Sequence, residues 1–163
     1  MSAKTMVALI EGFHPFDVIG YHELFRSIPD IDCYPQTIEN WALDWGKCRD
    51  RYDALVFYNM NMEYPAPWQE VVVEAIAKFG QTGQGLFFLH HALLAFPDNE
   101  VWSGAVGVSD RTFGYHPDQE YVVTPAAADH PISAGLAAWS ARDETYTMAE
   151  PDAGCEVLFT TTH

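Results

Sequence analysis

Gly85-Leu86-Phe87-Phe88-Leu89-His90-His91-Ala92 is the stretch on which the fold turns: a glycine, four apolar residues in a row, and two histidines where the apolar run stops. A run this short, without polar alternation, is what a strand covered on both faces of a parallel sheet requires. The histidines then stand at the carboxyl end of that strand. In an open α/β sheet the loops leaving that end enclose a crevice, and ligands bind there.

Upstream, the pattern repeats. Met6 to Ile10 is an apolar run ended by Glu11-Gly12 and reads as the first buried strand, with His14 in the loop directly after it. Pro15 and Asp17 suit a helix start, and Val18, Tyr21, His22 and Phe25 recur at helical spacing until Pro29. On that face His22 reads as a packed or surface histidine. Ile31 to Tyr34 is a short second strand, and Ile38 to Arg51 a connection in which Trp41 and Trp45 read as a core pair. Asp53 to Tyr58 is a third continuous apolar run, closed by Asn59 and Asn61. From Trp68 a helix buries Val71, Val72, Ala75, Ile76 and Phe79, and Gly80 and Gly83 turn the chain back. This is the strand-helix-strand crossover of a doubly wound sheet, which delivers Gly85 to Ala92 as the fourth strand.

Downstream the pattern loosens. Val101-Trp102 belongs to a short helix, Gly104, Gly107 and Gly114 mark loops, and His116 and His130 each precede a proline. Tyr121-Val122-Val123 reads as a strand, Asp143 to Tyr146 as a polar stop, and Cys155 to Phe159 as the last strand.

A chain of 163 residues with 48% hydrophobic and 14% aromatic content is expected to form one domain over residues 1–163. Its 8 Lys and Arg against 23 Asp and Glu give a formal charge of -15, which repels phosphate backbones and anionic lipid and argues against nucleic acid and membrane as partners. Cys33, Cys48 and Cys155 share no metal-ligating spacing and suit a reducing compartment. With no membrane-spanning run and no leader pattern, the expected location is cytoplasmic.

A strand that runs into a tight turn and a helix is the setting of a nucleophile elbow. Here that place holds His90 and His91, with neither a serine nor a cysteine pattern around them, so covalent hydrolysis of those kinds is excluded. The polar loop residues His14, His90, His91, His116, His130, Asp143, Glu144 and Tyr146 remain. A histidine and a carboxylate from a later loop can form an acid/base pair, because imidazole titrates near neutrality and a carboxylate fixes its tautomer. The same residue types can hold a divalent metal with one position open to substrate, and their spacing leaves both open.

The succession Gly85 to Ala92, Trp102 with Gly104 and Gly107, Phe113 with His116-Pro117, His130-Pro131-Ile132 with Gly135-Leu136, Asp143-Glu144-Thr145-Tyr146 and Leu158 to Thr161 resembles the trehalose-utilisation (ThuA-like) family. That family is a branch of the class I glutamine amidotransferase-like superfamily. The resemblance implies an α/β, flavodoxin-like three-layer fold with a mainly parallel sheet, in which a histidine, His90 or His91, takes the catalytic cysteine's position. It implies a part in using trehalose or related disaccharides, acting on sugars or keto-sugars rather than glutamine. It also implies that the chain stops before a strand with which the family usually continues, and the sheet edge this exposes leads us to expect a homo-oligomer.

The expected site therefore has His90 as acid/base and Glu144 as its partner or a second proton-transfer group. His14, His91, His116, Asp143 and Tyr146 shape a pocket for a small-molecule sugar. No cofactor is required by this reading, and a divalent metal is the alternative. The competing classes are a non-catalytic carbohydrate-binding or regulatory module of the same fold and a metal-dependent hydrolase.

Overall fold

The computed structural model describes residues 3–162, which fall into two compact units, Met1–Val106 and Gly107–His163. The first is a four-stranded parallel sheet in the order β2-β1-β3-β4, built from β1 (Thr5–Gly12), β2 (Ile31–Thr37), β3 (Ala54–Asn59) and β4 (Gly85–Phe88). Four helices connect and cover it: α1 (Val18–Arg26), α2 (Ile38–Leu43), α3 (Gln69–Ile76) and α4 (Glu100–Val106).

Strand alternation sorts the core into two layers. Ala8 and Ile10 of β1 and Leu55 and Phe57 of β3 join Trp41, Val72, Ile76 and Trp102 on one face, whereas Val7, Leu9 and Val56 meet Tyr21 and Phe25 of α1 on the other. Both faces of β1 and β3 are therefore buried, as their unbroken apolar runs require. Full burial of a Val, Leu, Ile or Phe side chain among these contributes about 1.5–3 kcal/mol relative to exposure. Helix α1 starts where expected, because the Asp17 carboxylate accepts from the Gly20 N–H at 3.0 Å and caps the helix. Such a cap stabilises by about 1 kcal/mol.

In this unit two local expectations do not hold. β4 is not covered on both faces: Leu86 and Phe88 pack into the larger core, but Phe87 is 56% exposed. The reason is the reach of α1, whose Tyr21 and Phe25 cover β1 and β3 and stop short of β4. The tryptophans of the second connection do not form a core pair either. Asp44 ends α2 in the left-handed region at φ 49°, so Trp41 is buried and Trp45 is 87% exposed.

The second unit is an antiparallel sheet in the order β6-β5-β7, made of β5 (Gly114–Pro125), β6 (Trp139–Thr147) and β7 (Phe159–Thr161). Asp143 to Tyr146 is not a polar stop but the interior of β6. Its alternation was hidden because both faces of a partly exposed strand carry polar residues. β5 likewise begins at Gly114, seven residues before the apolar Tyr121-Val122-Val123. It passes a bulge between His116 and Gln119 where Asp118 takes φ 55°. The last strand is shifted toward the chain end, to Phe159–Thr161.

Candidate functional site

In the first unit the sheet order reverses between β1 and β3, and the carboxyl ends of those strands lead into the loops that carry polar side chains. This is the topological switch point at which α/β sheets bind ligands. His14 follows β1, with the non-glycine Phe13 at φ 59° turning the chain ahead of it. His90 and His91 open a 3-10 turn, His90–Leu94, directly after the strand that Leu89 prolongs by donating to the Phe57 carbonyl at 2.9 Å.

His90 sits at φ 55°. For a residue with a β-carbon that left-handed conformation costs about 1–2 kcal/mol. Its effect is geometric. Consecutive residues of an extended strand point to opposite faces, yet here the rings of His90 and His91 lie 3.7 Å apart between centroids. The His14 ring completes the group at 4.1 Å from His91 and 5.5 Å from His90. One ligand nitrogen from each of the three lies within 4.8 Å of the others. His91 is only 7% exposed, and His14 and His90 are half-buried. The Nδ1 atom of His14 is buried without a hydrogen-bond partner.

An aromatic wall stands beside the histidines. Tyr58, the penultimate residue of β3, lies 6.0 Å from the His90 ring and 6.4 Å from that of His14, and stacks at 4.7 Å on Tyr21 with Phe16 edge-on at 5.3 Å. Behind it Glu11 and His22 form an ion pair at 3.3 Å, with both side chains about four-fifths buried. Burial raises the Glu11 carboxyl above its ordinary range, and His22 opposes that shift. The Tyr21 hydroxyl is pushed up as well, chiefly by burial and then by Glu11 and Tyr58. At the end of β3 the fully buried Asn59 donates to the fully buried Asn61 at 2.8 Å, leaving Asn59 Oδ1 and Asn61 Nδ2 without partners.

The structure thus brings together His14, His90 and His91, which the sequence singles out as candidates. Glu11, Tyr58 and the Asn59–Asn61 pair are not among the residues expected there, and His22 reads from the sequence as a packed or surface histidine. The available signal was positional, since Glu11, Tyr58 and Asn59 end apolar runs just as His90 does.

Glu144, Asp143, His116 and Tyr146 belong to the second unit. Glu144 accepts from the Tyr146 hydroxyl at 2.8 Å and the Tyr115 hydroxyl at 3.1 Å, and the two phenol rings lie 5.4 Å apart opposite one another across the β5–β6 ladder. The phenols titrate high. For Tyr115 the main cause is the hydrogen bond to Glu144; for Tyr146 it is burial, with the Glu144 bond second. His116 pairs with Thr145 and contacts the Thr147 hydroxyl at 3.3 Å, so it shares the opposite face of β6 with Asp143. The unit thus groups Glu144 with Tyr146 and puts His116 and Asp143 on the other side of the sheet.

Comparison with known proteins agrees with this architecture. The family model for trehalose utilisation, ThuA, matches residues 42–163. The crystal structure of a protein described as ThuA-like from Parabacteroides merdae superposes with a TM-score of 0.74 at 18% identity, covering 97% of this chain and 68% of that one. No curated protein sequence matches the chain. Among the described residues no helix is long and apolar enough to cross a membrane. Since the family match spans well over half of the chain, including His90, His91 and Glu144, the protein belongs to the ThuA trehalose-utilisation family and has its flavodoxin-like α/β fold.

Proposed function

We propose that the protein converts a disaccharide such as trehalose, or a keto derivative of one, and that its reacting centre is the cluster of His14, His90 and His91. The observation that carries this reading is the left-handed turn at His90, which gathers two consecutive imidazoles and a third from another strand at one point. Backbone strain of this kind persists where the surrounding structure holds it for a purpose. The Tyr58 ring beside the cluster suits the apolar face of a sugar, and the imidazoles suit its hydroxyl and carbonyl oxygens. With no serine or cysteine at the elbow, the chemistry proceeds without a covalent intermediate on those groups. In the second unit Glu144, held by two phenols, is suited to accept a sugar hydroxyl.

The test is His90→Ala, assayed for both sugar binding and turnover of trehalose and its keto derivatives. Turnover is expected to fall by about 100-fold or more. Unchanged turnover would remove His90 from the reacting centre, and sugar binding without turnover in the parent protein would assign a binding module instead.

A further inference from the structure

We propose that His14, His90 and His91 are the three protein ligands of a divalent transition-metal ion, zinc being the best fit, with the fourth position open to a sugar oxygen. The proposal rests on the placement of the reacting centre given above and specifies how that centre works. His90 then meets substrate through the ion, and proton transfer passes to a group other than His90.

Three features of the chain lead here. First, the donor set is three imidazoles with one ligand atom each within 4.8 Å of the others. A tetrahedral zinc with nitrogens at about 2.0–2.1 Å holds them about 3.3 Å apart, so modest side-chain rotations complete the geometry. Second, the set contains nitrogen only, with neither carboxylate nor thiolate. That disfavours calcium and magnesium, which take oxygen, and favours zinc and its neighbours, while three protein ligands are the pattern of catalytic rather than structural zinc. Third, His14 Nδ1 is buried with no hydrogen-bond partner in a ring that packs against both other histidines. A buried ring nitrogen in that state calls for a partner, and a metal supplies one.

The fold explains why the ligands come from these places. His14 is delivered by the end of β1, and the other two by the strained turn after β4, so the site spans β3 with Tyr58 beneath it. The ligands sit on short turns within two or three residues of rigid strands, with His91 itself buried, so they lose little freedom on binding an ion.

The experiment uses the whole chain stripped with chelator and titrated with Zn2+, and with Co2+ as a spectroscopic probe, in the absence of sugar. We expect about one equivalent bound tightly, a visible Co2+ spectrum of nitrogen ligation, and a rise in Tm on adding Zn2+. His14→Ala and His91→Ala are each expected to weaken binding by about 100-fold or more and to abolish the Tm rise, whereas His22→Ala, His116→Ala and His130→Ala leave both intact. Unaltered binding in His14→Ala and His91→Ala overturns the proposal, as does no binding to the parent. Should a variant not fold, imidazole NMR signals of the parent replace it. Zn2+ must shift those of His14, His90 and His91 together, and shifts confined to other histidines overturn the proposal. Sugar turnover by the stripped protein at the full rate overturns the metal alone, whereas tight metal binding without sugar turnover overturns the sugar reading alone.

Discussion

The indole Nε1 of Trp102 donates to the carbonyl of Ala92 at 3.1 Å, and both residues are fully buried. Trp102 also packs edge-on against Phe57 and Phe88 at 4.9 Å and Phe96 at 5.0 Å, so one side chain ties the turn bearing His90 and His91 to the sheet beneath it. Trp102→Phe leaves the Ala92 carbonyl buried and unpaired, at an expected cost of about 1–3 kcal/mol. Trp102→Ala adds a cavity and is expected to cost about 3–5 kcal/mol. Urea unfolding measures both. A Trp102→Phe variant as stable as the parent would show that the hydrogen bond does not anchor the turn.

His90→Gly separates strain from function. Glycine adopts a φ of 55° without the β-carbon penalty, so this variant is expected to unfold at or above the parent's temperature while losing turnover and tight zinc binding. The gain is limited to about 1–2 kcal/mol by the size of that penalty. A Tm several degrees below the parent's would mean that the ring's packing outweighs the backbone strain.

Glu144→Gln is expected to act differently on two tyrosines. Tyr115 owes its raised pKa first to the Glu144 hydrogen bond and should return toward the ordinary phenol range. Tyr146 owes its shift first to burial and should move down only in part. Ultraviolet titration with Tyr115→Phe and Tyr146→Phe backgrounds resolves the two, and equal displacements would contradict the separate causes.

Glu11 sets a pH dependence of stability. Its carboxyl is held above the ordinary value of 4.5, so the folded chain binds that proton more tightly than the unfolded chain. The protonated form's advantage is complete below 4.5 and is lost as pH rises through the folded-state pKa. Relative to Glu11→Gln, the parent should therefore lose stability as pH rises through that window, as measured by chemical denaturation at a series of pH values. A parent that gains on the variant over the same range would show that the His22 ion pair, and not burial, governs the carboxyl.

The sequence by itself determined the parallel unit and the strand ends that carry its candidate site residues. Unbroken apolar runs over Met6 to Ile10 and Ala54 to Tyr58 favour burial on both faces, which β1 and β3 achieve, and polar residues that end such a run at a carboxyl edge stand where α/β sheets bind ligands. The antiparallel unit was less legible, because β6 carries polar residues on both faces and its Asp143 to Tyr146 segment shows no apolar alternation in the sequence, although Glu144 to Tyr146 are partly buried. Only the tertiary structure decided the grouping of side chains. That His90 and His91 converge rather than diverge depends on one left-handed φ, a choice that spacing along a chain does not encode. That His14 meets them depends on β1 and β4 flanking β3, and the Glu11–His22 pair likewise exists only because α1 folds back over the end of β1. Local patterning sets which faces are buried, whereas a site is made by long-range packing of strand ends, and there the histidine run at Gly85 to Ala92 acquires its third partner.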